Sequence, residues 1–486
     1  MTGAGGLETP ELPRTLTLRD LVLLNVVAVL SIRWLATSAA AGPSSLVLWV
    51  CAALFFFIPQ GLAVADLSAR FPDEGGIYAW TKRAFGEGNG FLCGWCYWIN
   101  NVLYYPSLLL SGAVIATYAF GMGDSGLGNR WTYVLPVTLG AMWLAVLLNV
   151  LGLRVGKWLH NIGAFGSYLP GVVIVVLGAV AVLTRPPANA FTPETLIPDM
   201  SKISELNLWA AVAFAFAGLE LSATLGGEIR DPRRMLPRAI FLAAPLIVLV
   251  YIAGTGAILW LVPQKDVNLV SGLLQGIAAG AKGLGPIVAW VVPFAAAANA
   301  LGNLGCVGAW LTGCARVAFV VGLDRYVPAA FGRIHPRWGT PYVAILVQAA
   351  LATIFLFVSV AGKGTTVEKA YLVLLDTMLL VYFIPYCYMF LTFLVFGIGR
   401  RADARAGDPP RRPVRTLVVG LSGLAVTIFA MVVAAIPPPG TIEPWLFELK
   451  VLGGATAFVA AGGLLYWRAR RVAAAAPLAP RAGQEA

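Results

Sequence analysis

The chain has 486 residues, of which 59% are hydrophobic and only 12% charged, where a soluble globular chain carries roughly 25% charged residues. No polar stretch is long enough to fold as a separate soluble domain; the longest are residues 1–17, 185–206, 324–340, 398–415 and 470–486. The net charge of +11 reads as basic loops flanking membrane helices, not as a nucleic-acid footprint.

Residues 1–17 are polar and carry Glu8 and Glu11, so a cleavable signal sequence is not expected. Apolar runs of about 20 residues mark membrane helices. Twelve spans are predicted, near 18–40, 45–69, 90–120, 131–153, 156–184, 206–228, 237–262, 286–321, 341–360, 367–397, 415–436 and 445–468. Shorter amphipathic pieces fall near 77–86 and 267–281.

Span 1 contains SIRWLAT at 31–37, with Arg33 deep inside it. An arginine facing lipid there would cost upward of about 2.5 kcal/mol. Arg33 is therefore expected to face a cavity, or to pair with an acid such as Glu220 and pin two spans together. Ser31 and Thr37 can bond backbone groups freed by a helix break. In span 2, Asp66 and Arg70 stand one turn apart and read as a structural pair. In span 3, Asn100 and Asn101 are intramembrane amides, and Asn101, Tyr104 and Tyr105 share a helix face. An amide there bridges helices or meets a polar solute. Cys93-x-x-Cys96 lies in an apolar helix and reads as packing rather than redox chemistry. His160, near the start of span 5, is expected at the interface. With His335 in an unrelated segment, no metal site can be built.

Span 6 carries FAFAGLE at 214–220, running into GGEIRDPRR at 226–234. Gly218 sits mid-span, Glu220 follows, and Phe214 and Phe216 flank the position. An interrupted helix survives in hydrocarbon only where it lines a protein cavity, and its freed backbone then binds charged solutes or ions. Glu220 is a candidate coupling group, or else it bonds backbone freed by the break. Glu228, next to Arg230 at the cytoplasmic end of the span, reads as a gate or an end-capping ion pair. Span 8 reads ANALGNLGCVGAWLTG from Ala298, small residues suited to close helix packing. Asp376, in span 10, needs a partner or a wet cavity, and reads as ion coupling or structural pairing.

Of the 34 lysines and arginines, 25 fall in alternate loops and the two tails, eight on the opposite side, and Arg33 inside span 1. This asymmetry places both termini in the cytoplasm. The two amphipathic pieces, after spans 2 and 7, fall on opposite sides, as two five-helix units of inverted orientation would place them. That symmetry predicts a break in span 1 to match the one in span 6. The predicted layout is a polar tail at 1–17 and a membrane domain at 18–470. Within it, 18–184 is the first repeat, 206–397 the second, and 415–468 two extra helices; a tail follows at 471–486.

Three stretches carry a family resemblance. They are the span 6 pattern with its GGEIRDPRRMLPRA loop, GLAVADLSARFPDEGGIYAWTKRAFG from 61, and RVAFVVGLDRYVPAAFGRIHPRWGTPYVAI from 316. In that order and spacing they resemble the amino acid/polyamine/organocation permeases over roughly residues 15–470. The layout is most similar to glutamate/GABA antiporters and plant-type polyamine permeases. The resemblance implies an all-α membrane protein of twelve transmembrane helices, a LeuT-type five-plus-five inverted repeat plus two, with helices 1 and 6 broken. It implies a solute site at Ser31, Ile32, Arg33, Ala215, Phe216 and Gly218, with Asn101 as a contact, Phe214 as an aromatic gate and Glu220 helping to close the site. It also places Ser167 where many members carry a lysine that stands in for sodium. The Gly-Ser-Gly-like stretch usual in helix 1 is replaced here by Ser31-Ile32-Arg33-Trp34.

The expected function is secondary active transport of an amino acid or related amine by alternating access in the cytoplasmic membrane. No cofactor is expected, and coupling to H+ or Na+ stays open. Glu220, Ser167 and Asp376 are the candidate coupling or gating residues. A polyamine permease is the alternative substrate reading, and a non-transporting solute sensor the alternative class. The expected partners are the small solute and the lipid bilayer. A membrane enzyme would need a nucleophile, base or metal cluster in one span, and the sequence offers none.

Overall fold

The computed structural model describes residues 14–199, 201, 203–282, 284–324, 326–360, 367–398, 413–436 and 444–475. Among these residues seventeen α-helices follow one another: α1 (Leu18–Val29), α2 (Arg33–Ala40), α3 (Ser44–Ala52), α4 (Ile58–Arg70), α5 (Ile77–Phe85), α6 (Glu87–Ala119), α7 (Trp131–Val150), α8 (Leu153–Thr184), α9 (Pro193–Leu196), α10 (Ile203–Ala215), α11 (Pro232–Leu261), α12 (Gly272–Ala281), α13 (Val288–Leu323), α14 (Tyr342–Val360), α15 (Val367–Ile398), α16 (Pro413–Ala434) and α17 (Pro444–Ala475). Among the described residues the only extended pairing is one isolated bridge, Leu16 to Ile229.

Among the described residues, ten stretches are long and apolar enough to cross a membrane, from Leu18–Ala40 to Pro413–Ala434, and Gly272–Ala281 and Tyr342–Phe357 are shorter apolar helices. The ten coincide with predicted spans 1–8, 10 and 11. Span 9 is the shorter Tyr342–Phe357, and span 12 lies within α17, which is not among the ten. Both amphipathic pieces are present, as α5 and α12.

The chain enters α1 through a capping box. The Thr17 N–H donates to Asp20 Oδ2 at 3.1 Å, and the Asp20 N–H donates back to Thr17 Oγ1 at 3.4 Å. Span 2 holds a feature that hydropathy does not signal. Between α3 and α4, residues Ala53–Phe57 form one π-helical turn, a local slip of the hydrogen-bond ladder by one residue.

Burial separates an inner bundle from an outer layer. The apolar cores of span 6 and of Ala289–Gly322 are almost wholly buried, whereas that of Pro413–Ala434 is mostly exposed and turns its side chains outward. Such outward apolar faces suit hydrocarbon. The inner helices touch through glycine. A Cβ on Gly166 would collide with the Ala298 carbonyl, and one on Gly305 with the Gly163 backbone. Helices α8 and α13 thus cross backbone against backbone, the close packing that the small residues of span 8 predict.

Candidate functional site

Span 1 stops being helical after Val29 and resumes at Arg33. Leu30 has extended backbone (φ −74°, ψ 95°) although its N–H still reaches Val26 O at 2.8 Å. The carbonyls released there are caught by other helices. Trp310 Nε1 of α13 donates to Ala28 O at 3.1 Å, and the Tyr251 hydroxyl of α11 donates to Val29 O at 2.6 Å. The same hydroxyl accepts the Ser31 N–H at 3.1 Å.

Span 6 is interrupted beside it. Helix α10 ends at Ala215, Gly218 takes φ +131°, and residues Leu219–Glu228 continue as 3-10 turns with a kink at Leu225 (φ −96°, ψ 18°). Side chains rarely adopt that φ. A Cβ at Gly218 would also lie 3.2 Å from Trp310 Cζ2 and Val29 Cγ2 and 3.3 Å from Ala28 O. The glycine therefore lets the two interruptions meet. The Gly218 N–H donates to the Tyr386 hydroxyl at 2.8 Å, and Ala215 O lies 3.1 Å from the Tyr251 hydroxyl. One phenol thus spans both interruptions.

Glu220 is fully buried and receives four donors. Tyr97 and Tyr382 hydroxyls reach Oε1 at 3.1 and 2.7 Å; Gln60 Nε2 and the Tyr386 hydroxyl reach Oε2 at 3.1 and 2.6 Å. Helices α4, α6 and α15 are tied to span 6 through one carboxylate. None of the four donors is Arg33, so the expected pairing of Arg33 with Glu220 gives way to neutral donors. The Arg33 guanidinium lies 4.8 Å from the Trp34 ring centre and 5.4 Å from that of Tyr104, within cation–π reach.

A cavity lies between the interruptions, lined among others by Val29, Trp34, Asn101, Phe214, Ala215 and Trp310. Its volume is about 20 Å3, room for a single water. Phe214 meets Trp34 edge-on at 5.7 Å and Tyr382 at 5.5 Å. These rings must part before an amino acid could enter. Two buried acceptors of lining residues, Asn100 Oδ1 and Asn101 Oδ1, have no hydrogen-bond partner among the described residues, nor does Ser31 Oγ in the span 1 interruption.

Of the expected solute-site residues, Asn101, Phe214 and Ala215 line the cavity, whereas Ser31, Ile32, Arg33, Phe216 and Gly218 do not. Phe216 points away and stacks on Phe57 at 4.5 Å, so only its backbone belongs to the interruption. Ile32 is a buried helix-start residue of α2. Ser167 packs against Gly302 on α13, outside the cavity lining. Asp376 falls on α15, but its side chain lies outside the described residues.

Two polar expectations are corrected. Glu228 pairs with Arg316, not Arg230, at 2.6 Å, with both side chains almost fully buried. Arg316 belongs to the interior of α13, not to a loop, and Arg230 is exposed. His160 is buried, not interfacial; its Nε2 lies 3.2 Å from Thr312 Oγ1, and Thr312 also bonds Asn149. In contrast, Arg70 and Asp66 pair as expected at 2.7 Å. Sequence reading passed over Gln60, Tyr97, Tyr251, Trp310, Tyr382 and Tyr386. Polar or ring N–H groups inside apolar spans, and Tyr382 and Tyr386 one turn apart, were the available signal.

Residues 16–454 match the amino acid permease family. An uncharacterized transporter of Legionella pneumophila is 34% identical over 92% of this chain and 95% of its own length. A probable agmatine/putrescine antiporter of Lactococcus lactis is 23% identical over 94% of this chain and 95% of its own. A serine/threonine exchanger of Bacillus subtilis is 26% identical over 73% and 75%. The chain belongs to the amino acid permease family, and it is a multi-pass membrane transporter rather than an enzyme.

Proposed function

We propose that this transporter carries an amino acid or a related amine by alternating access around the two interruptions. The observation that carries the reading is the meeting of spans 1 and 6 at Gly218, beside a cavity lined by aromatic rings and by Asn100 and Asn101, whose side-chain carbonyls have no partner among the described residues. The start of α2 at Ile32 and Arg33 offers backbone N–H groups and a positive helix end to a carboxylate. Ser31 Oγ, Asn101 Oδ1 and the carbonyls at Ala215 and Phe216 offer acceptors to an amino group. Phe214 closes over the solute. Glu220 acts as a latch, because a proton on it would remove an acceptor from the tyrosines and Gln60 that tie three helices to span 6.

The proposed layout is a LeuT-type inverted repeat, 18–184 and 206–397, with two extra helices at 415–468 and tails at 1–17 and 471–486. The basic loops put both termini in the cytoplasm. Ser167 offers no ammonium at the position the resemblance singles out, so coupling runs through Glu220, through Asp376, through Na+, or through solute exchange alone. A diamine is the second reading, favoured by the name of the Lactococcus relative and by the ring-lined cavity. Against it, Glu220 is already saturated by neutral donors.

Counterflow in proteoliposomes tests this. Vesicles preloaded with unlabelled serine, glutamate or putrescine should accumulate the matching labelled solute saturably, with an amino acid preferred. Preference for putrescine would move the assignment to polyamines. No flux above empty vesicles, with ligand-induced thermal stabilisation retained, would make the chain a sensor.

A further inference from the structure

On the face that carries the N-terminal segment, the loop between α4 and α5 lies backbone to backbone on span 6. The Gly75 N–H donates to Thr224 O at 3.1 Å. A Cβ on Gly76 would sit 3.0 Å from the Thr224 nitrogen, and one on Gly226 would strike the Pro72 carbonyl. Glycines on the two surfaces make the contact. The segment before α1 crosses the same strip, where Thr15 and Leu16 N–H groups both donate to Glu228 O at 2.9 and 3.1 Å. Loop, segment and span 6 close this face together.

Beneath that contact sits an unbalanced charge cluster. Arg316 Nε and Nη2 grip Glu228 Oε1 and Oε2 at 2.6 and 3.2 Å. The Glu74 carboxyl points into the same spot. Its Oε2 is wedged against Gly227, whose main chain hydrogen-bonds it. Its Oε1 is buried and has no hydrogen-bond partner among the described residues. One guanidinium therefore faces two carboxyls. The surrounding charges are closed among themselves: Asp66 with Arg70, Asp73 with Arg83, and Asp324 with Lys82 and the Tyr78 hydroxyl. Arg234 faces Asp231 at the exposed edge, and His160, behind Arg316, is engaged by Thr312.

We propose that Glu74 is a proton-binding latch on this face. Protonated, it lets the 71–76 loop sit on span 6. On losing its proton to bulk water it repels Glu228, and the loop and N-terminal segment lift. Burial, and then the Glu228 charge, push the Glu74 carboxyl from its ordinary 4.5 up to about 8 in the closed arrangement. The closed form holds the proton more tightly than the open one. Closure is therefore favoured fully at low pH, weakens by up to about tenfold per pH unit between those two values, and is level above the upper one. The consequence for transport rests on the alternating-access reading, but the latch itself can be read without any substrate.

Hydrogen–deuterium exchange of the full chain in nanodiscs, corrected for intrinsic rates, tests this between about pH 5 and 9. Protection of the Thr15, Leu16 and Gly75 amides should fall with pH in the wild type and stay flat in Glu74→Gln. In Glu228→Gln, where the competing charge is gone, the fall should move to lower pH. A flat wild-type profile, or the same fall in Glu74→Gln, overturns the latch. Should Glu74→Gln fail to fold, an unmoved fall in Glu228→Gln overturns it equally.

Discussion

The two interruptions are made in opposite ways. Span 6 breaks from within, because Gly218 takes a backbone angle closed to side chains and leaves no room for a Cβ. Span 1 breaks at Leu30-Ser31-Ile32, with no glycine and with negative φ at Leu30 and Ile32. It is held open from outside, by Trp310 and Tyr251 bonding the carbonyls and the N–H that the helix gives up. A glycine break is a property of the segment, whereas a break stabilised by partners belongs to the whole bundle. Span 1 is thus the element that could re-form helix if its partners moved, while span 6 is fixed.

The sharpest test of this difference is substitution at each break. Gly218→Ala should cost about 3 kcal/mol or more through strain and contact with Trp310 and Val29, and should abolish counterflow. Ser31→Gly should stay within about 1 kcal/mol. Equal losses in detergent thermal melts would erase the distinction.

Next in size is the external support of span 1. Tyr251→Phe leaves Val29 O and the Ser31 N–H without their partner, and a lost partner at a buried group costs about 1–3 kcal/mol. The melting point should fall accordingly, whereas Trp310→Phe strands Ala28 O and also removes buried ring volume packed on Tyr97, Tyr104 and Tyr382. If Tyr251→Phe melts with the wild type, Tyr251 is not the bridge.

A smaller effect is expected at the Glu220 cluster. Tyr386→Phe removes both a donor to Glu220 and the acceptor for the Gly218 N–H, and should cost about 2 kcal/mol. Tyr97→Phe, which removes one donor at 3.1 Å, should cost about 1 kcal/mol. The order of the two melting points checks the geometry. Arg33 should show in transport rather than stability. Arg33→Ala should raise the half-saturating solute concentration about tenfold or more, the size of one charge-assisted contact, with partial recovery in Arg33→Lys. Unchanged affinity in Arg33→Ala would remove Arg33 from the solute site. Ser167→Ala should change neither reading measurably, since Ser167 lies outside the cavity.

Much of this was legible in the chain. Apolar run lengths located ten crossing stretches, because the hydrocarbon thickness sets one length for every helix. Gly218 and the acid after it marked the span 6 interruption. Arg33 marked span 1 as facing protein, because a guanidinium in lipid is too costly. The π-helical turn at Ala53–Phe57 left no trace, since its composition is that of an ordinary apolar helix. Glu228 stands beside Arg230 in the chain, yet its ion-pair partner is Arg316, 88 residues away on another helix.

What the sequence determined by itself was where the chain meets lipid and where one segment cannot stay helical, because hydropathy and backbone sterics act locally. Which polar groups satisfy one another was decided only by the tertiary structure. Glu220 takes its four donors from three other helices, Tyr251 reaches across two interruptions, and Glu74 meets Glu228 through paired glycines on separate segments. In a water-poor interior every freed group must find a partner, and only the packed bundle fixes which one is near enough.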